Sequence, residues 1–343
     1  MAGISEAADA ARVATIDIPG KPLDNFDIGF VDSKAGRYYL ADRANASVDV
    51  FDTTKNTFLY RLDGFTGSEK DHNGPDGVLV IPELKQLWAG NGDSTARIYD
   101  ISSEPAKLVK TISTGGKKRV DEMAYDPKDK LVAMANDSDE PAFLTFISTE
   151  ADHAVLGKLE LPDATDGIEQ PVYFAETGML YQNVPIYKKQ DNVGGLAVID
   201  PAKRSLVSMI EVKDCQPAGN AHGPGTNVLL GCKAGSAASK MPAQSVIVDV
   251  AASKVVAAVS QVGGSDEVWY NPGNKRYYLA ARENPGGPVL GIIDAEKNTW
   301  VANIPTAKNS HSVAADSTSN HVFVPMMPND ACKAGCVAVY AAH

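Results

Sequence analysis

The chain has 343 residues, of which 44% are apolar and 22% charged, ample for a folded core. A formal net charge of −11 argues against binding nucleic acid or an anionic membrane surface through bulk charge. No apolar run approaches about 18 residues, so no membrane-spanning helix is expected.

The opening "MAGISEAADA" has neither the basic n-region nor the apolar stretch of a signal peptide. Met1 and Ala2 are read as a start placed after signal removal, and residues 1–11 are expected to be disordered or foreign to the fold. "RVATIDI", residues 12–18, is a strand pattern with no partner nearby. The first full unit follows: "IGFVD" is strand A, "RYYLAD" B, "SVDVFD" C and "TFLYRL" D, separated by turns such as "SKAG" and "TTKN". The A–B hairpin then recurs with openings at Asp27, Asp76, Asp121, Glu169, about Gly219, Asp266 and His311, spaced 45 to 50 residues apart. Strand C recurs as "ARIYDI", "GGLAVID", "SVIVDV", "LGIIDA" and "CVAVYAA", and most copies carry an Asp near the strand end that suits a turn. This period with β composition predicts an all-β chain: a single seven-bladed β-propeller with four-stranded blades, spanning 1–343 without a linker. The last unit ends at strand C, so "RVATIDI" is expected to complete it and close the ring.

In such a ring the starts of the A strands and the ends of the B strands converge on one funnel. In chain order this brings together Asp27 and Arg43 from blade one, then Asp76 and Asn91 from blade two. The loop "DHNGPDG" (71–77) hangs His72 over the funnel, or is simply a Gly-Pro turn capped by Asp71 and Asn73. "GKKRVDE" (116–122) contributes Arg119, Asp121 and Glu122, and blade four Glu169 and Asn183. "NAHGPG" (220–225) is expected to place His222 at the opening of blade five, and the insert Lys233–Ala243 is a candidate lid. Blade six adds Asp266, Glu267 and Arg282, and blade seven His311. His153 and His321 read as structural or surface residues, and Trp88, Trp269 and Trp300 as packing between blades.

The acidic openings have two readings. They cap loops, or Asp27, Asp76, Asp121, Glu169 and Asp266 offer oxygens to a divalent cation, calcium first and zinc second. Clustered carboxylates repel, so a cation, proton uptake or the Arg residues must offset them. His72, His222 and His311, with Glu122 and Glu267, are candidate acids and bases. Arg43, Arg119 and Arg282, with Asn91 and Asn183, are candidate ligand contacts that favour an anionic small molecule. There is no GxSxG elbow, Walker sequence or dinucleotide fingerprint, so no nucleotide cofactor is expected.

Cys215, Cys232, Cys332 and Cys336 include no CxxC pair. Disulfides Cys215–Cys232 and Cys332–Cys336 are expected, with the other pairings, a structural zinc site and free thiols as alternatives. Disulfides imply a periplasmic or secreted protein, and free thiols a cytoplasmic one.

The units "FDIGFVDSKAGRYYLADRANASVDVFD" and "SDEVWYNPGNKRYYLAAREN" resemble YVTN-repeat propellers and their gluconolactonase/regucalcin-like relatives. The resemblance spans residues 12–343 and implies the propeller fold. In gluconolactonase-like propellers a Glu, an Asn and an Asp hold a metal on the axis. By position Asp27 matches the opening Glu, Asp266 the closing Asp, and Glu169 stands at the site fitting the Asn. The expected function is therefore a metal-assisted hydrolase or lactonase, with an ion on Asp27, Glu169 and Asp266 activating a water. The alternative is a non-enzymatic YVTN-type propeller binding a ligand or partner protein on the same face. A third reading is a metal-free enzyme using His72, His222 or His311 with the Arg residues.

Overall fold

A computed structural model of the chain describes residues 11–69, 72–233 and 241–341. Among these are seven antiparallel four-stranded sheets, the blades of a β-propeller. Blade one runs A Gly29–Asp32, B Arg37–Asp42, C Ser47–Asp52 and D Thr57–Asp63. The A strands line the central channel, the B and C strands are the buried middle of each blade, and the D strands face outward. Burial follows that order: strand C of blade one is buried at every residue, whereas strand D of blade two (Lys107–Ser113) is exposed at all but Ile112.

The Asp at the C-strand ends acts as expected. Asp52 Oδ1 accepts from the backbone N–H of Thr54 and Lys55, and Asp294 Oδ1 from those of Glu296 and Lys297. This side-chain turn bonding lets Asn56 and Asn298 adopt left-handed φ values of 56° or below, which suits asparagine.

Blade seven has strands A Ala314–Ala315, B His321–Met326 and C Cys336–Ala341. Its outer strand is Ala11–Asp17, which pairs antiparallel with strand C from Ala11 opposite Ala341 to Asp17 opposite Cys336. The ring is thus latched by its two ends, with Ile16 packed among Phe323, Val337 and Val339. Other apolar clusters join neighbouring blades; one sets Tyr278, Leu290 and Ile292 of blade six against Val322, Val324 and Ala338 of blade seven. Trp88 is fully buried. Trp300 departs from expectation: it lies on an outer D strand, is 41% exposed and bonds Asn303.

Both expected disulfides are present, and no cysteine is free. Cys215–Cys232 ties the start of strand A of blade five (Gln216–His222) to the end of its strand B (Asn227–Lys233). Cys332–Cys336 closes the loop before the latched C strand. Among the described residues no helix is long and apolar enough to cross a membrane. The expectations for residues 1–10, for Asp71 and for most of the Lys233–Ala243 insert (234–240) lie outside the described residues.

Candidate functional site

The A-strand starts and B-strand ends do converge. They surround a funnel of about 230 Å³ whose lining includes ten of the expected site residues: Asp27, Arg43, Arg119, Asp121, Glu122, Glu169, Asp266, Glu267, Arg282 and His311. A smaller space of about 60 Å³ continues below it, walled by Phe30, Leu79 and Trp269, and Glu122 and Glu267 line both.

All five carboxylates expected to ligate a metal are instead held by cations. Arg43 Nη2 donates to Asp27 Oδ2 at 2.5 Å and also to Asp76. Arg119 Nη2 meets Asp121 at 2.8 Å and Asp137 at 2.7 Å. Lys233 holds Glu169, and Arg282 Nη2 lies 2.9 Å from Asp266. Calcium needs about six to eight open oxygens, and zinc about four tightly placed ligands. Among the described residues no group of three or more His, Cys, Asp or Glu side chains is arranged to hold an ion. The donor set therefore does not fit either metal: the same repulsion is relieved by guanidinium and ammonium groups.

Sharing sets the protonation. Burial opposes the charge of Asp27, but Arg43 and His311 override it and hold its carboxyl well below the ordinary range. Burial pushes Asp76 up to about 7, helped by the Asp27 charge, and Arg43 and Arg119 only partly offset it. Asp121 is likewise raised by burial, with Arg119 divided between it and Asp137. Burial pushes Glu122 well up, reinforced by Asp121 and Glu169. Burial also raises Glu267, although Ser312 Oγ and the Val313 N–H donate to it. Burial raises Glu169 as well, against the pull of Lys233. Arg43, Arg119, Lys233 and Arg282 are the cations set among these carboxyl groups.

This makes a signed prediction. A carboxyl whose folded pKa is raised binds a proton that the unfolded chain has released, so its stabilisation is complete below about 4 and lost as pH rises through about 7. Asp27 acts oppositely: its contribution is complete above 3.8 and is lost as pH falls from there toward its lowered folded value. The melting temperature should therefore rise as pH is lowered from 8 to 5.5, and Asp76→Asn should flatten that slope; scanning calorimetry across the range would read it, and a profile that rises with pH would refute the assignment.

His311 is the one expected histidine on the funnel. Its ring stacks on Phe26 at 4.6 Å and 8°, its nitrogens lie 2.8 and 3.1 Å from the carbonyls of Asn309 and Phe26, and Nε2 is 3.5 Å from Asp27. Held at both nitrogens, it positions Asp27 rather than standing free as a base.

Four expected residues are not on the funnel, and Asp76 sits behind it, fully buried against Arg43. His72 bonds the Gly92 carbonyl in the blade-two loops. Asn91 accepts from Thr66, and Asn183 clamps blade four to blade five through the Ala218 carbonyl and Asn220. His222 is at the opposite end of its blade: an irregularity between Pro217 and Asn220 lengthens strand A, so "HGPG" forms the A–B turn, and His222 stacks on Phe174 at 3.8 Å beside Glu176. Lys233, expected only as the first residue of the insert, ends strand B of blade five and lines the funnel as a cation. Asn309 and Ser312 were also missed, although they flank His311.

No family model matches the chain, and no curated protein matches it. Among solved structures, a chain of the mitotic checkpoint complex superposes with a TM-score of 0.74 at 13% identity, over 100% of this chain and 95% of that one. That likeness is one of fold.

Proposed function

We propose that this protein is a non-enzymatic binding propeller whose funnel captures a small polar molecule bearing both a negative and a positive group. The observation that carries this reading is the set of ion pairs whose outer edges face the funnel: Lys233 and Arg282 are each 29% exposed and their partners Glu169 and Asp266 20 and 22%, beside Arg119, 25% exposed over the buried Asp121 and Asp137. Alternating signs around a cavity of about 230 Å³ offer a carboxylate to an amine and a guanidinium to an acid. An anion alone would leave the facing carboxylates opposed.

This is the YVTN-type branch of the resemblance. The lactonase branch needs Asp27, Glu169 and Asp266 free for an ion, and each is engaged by a cation. We also infer that the chain works in the periplasm or outside the cell, a reading supported by its two disulfides.

Fluorimetric melting with L-glutamate, γ-aminobutyrate, citrate and glucose tests the reading. A ligand at one hundred times its Kd contributes about 2.7 kcal/mol, roughly 4 °C for a chain of this size. The amino acids should raise Tm, citrate and glucose much less, and Lys233→Gln or Arg282→Gln should remove the shift. No response to the amino acids, or stoichiometric metal whose chelation lowers Tm, would displace this proposal.

A further inference from the structure

Six carboxyl groups line the funnel, and five of them are engaged. Asp27, Asp121, Glu169 and Asp266 are each paired with a cation. Glu267 accepts from Ser312 Oγ and the Val313 N–H. The sixth, Glu122, has no side-chain hydrogen bond or ion pair among the described residues, although it is only 8% exposed. Its Oε2 is enclosed and meets no donor. Oε1 is left to the two cavities that the side chain lines, the funnel and the space of about 60 Å³ below it.

The backbone holds Glu122 in that place. It directly precedes strand A of blade three (Met123–Asp126), and its carbonyl accepts from the Ala135 N–H of strand B at 2.9 Å. From the blade-two side, Gly77 packs so close that a Cβ there would lie 2.9 Å from the Glu122 Cα. Phe30, Leu79 and Trp269 wall the space below, where besides Glu122 only Glu267 among the described lining residues can carry charge. Lys233 and Arg282, by contrast, are 29% exposed at the rim. The funnel therefore has depth, with cations at its mouth and an unpaired carboxyl at its neck. A buried carboxyl without a donor is costly, and an ammonium matches it with three N–H donors and a positive charge.

We propose that Glu122 is the ammonium-binding residue of the funnel, and that the ligand stands along the ring axis with its ammonium at Glu122 and its carboxylate at Lys233 and Arg282. This rests on the zwitterion reading above and narrows it to ω-amino acids, whose two charges are separated by a methylene chain. Glycine places both charged groups at one depth. L-Glutamate spans the funnel but brings a second carboxylate to its acidic neck. Burial, reinforced by Asp121, Glu169, Glu267 and Asp266, raises the Glu122 carboxyl in the empty funnel. The remaining charged or titratable groups of the wall, Arg43, Arg119 and His311, are engaged with Asp27, Asp121 and Asp137. As the ammonium arrives, the Glu122 O–H proton leaves to solvent and the carboxylate forms, so affinity should rise from about pH 6 to 8.

Isothermal titration of the full chain with γ-aminobutyrate, glycine and L-glutamate, each in phosphate and in Tris, tests this. γ-Aminobutyrate should bind the most tightly and release about one proton per ligand, read as a difference in binding enthalpy between the two buffers. Glu122→Gln should weaken γ-aminobutyrate by about tenfold or more and abolish the proton release. Should Glu122→Gln fail to fold, the ligand ranking and the buffer difference on the unaltered chain decide. γ-Aminobutyrate that binds no more tightly than glycine or L-glutamate, binds without proton release, or is indifferent to Glu122→Gln would overturn this inference and leave the funnel reading standing. Binding of none of the three amino acids would overturn both.

Discussion

Removing the N-terminal strand should open the ring. A chain lacking residues 1–18 loses the strand Ala11–Asp17 and, with it, the ladder along Cys336–Ala341. Strand C of blade seven would become an edge with Val337, Val339 and Tyr340, now essentially buried, beside it. An uncovered apolar edge strand is a template for pairing between chains. Burial of Ile16 and Ile18 alone is worth about 1.5–3 kcal/mol per side chain, before the lost ladder bonds. Size-exclusion chromatography should show association, and calorimetry a Tm lower by on the order of 10 °C or a lost cooperative transition. The single change Ile16→Ala should cost about 2–5 kcal/mol without association. A truncated chain that stays monomeric with an unaltered melt would mean that the latch is dispensable.

Arg43→Met is the second. Arg43 is 6% exposed and the shared partner of Asp27, which is 14% exposed on the funnel, and of Asp76, which is fully buried. Taking one partner from a buried charge group typically costs about 3–5 kcal/mol; here Arg119, 3.9 Å from Asp76, is the cation that remains nearby, which sets the expectation at the lower end. The loss should deepen as pH rises, since Asp76 can take up a proton only in the more acidic range. Adding Asp76→Asn to Arg43→Met should recover part of the loss, a coupling that a double-mutant cycle in urea would measure. Destabilisation of Arg43→Met below about 1 kcal/mol would show that Asp27 does not depend on Arg43 for its charge, and would undercut the ion pairing of the funnel.

The sequence by itself determined the architecture. A strand is written in its alternation, a turn in its Asp, Asn and Gly, and a propeller in the repetition of four such strands every 45 to 50 residues. The missing D strand and the spare N-terminal one are a matter of counting, and the disulfides agree with the spacing of their cysteines. The same pattern placed Asp27, Arg43, Glu122, Asp266 and His311 on one funnel, since strand ends in a ring have only one place to converge.

What the tertiary structure decided is which charges meet. Lys233 reaches Glu169 across 64 residues and His311 reaches Phe26 across 285, pairings that no local period encodes. Blade five shows how little is needed to mislead: one irregularity between Pro217 and Asn220 lengthens strand A and sends His222 to the far end of its blade. Strand alternation fixes a side chain's face only as long as register is kept, and register is set by the partner strand. The sequence left a cation, proton uptake or the Arg residues as ways to offset the acidic ring, and strand order alone did not say which carboxylate meets which Arg. Three guanidinium groups and one ammonium, delivered by separate loops, are what the folded ring sets against those carboxylates.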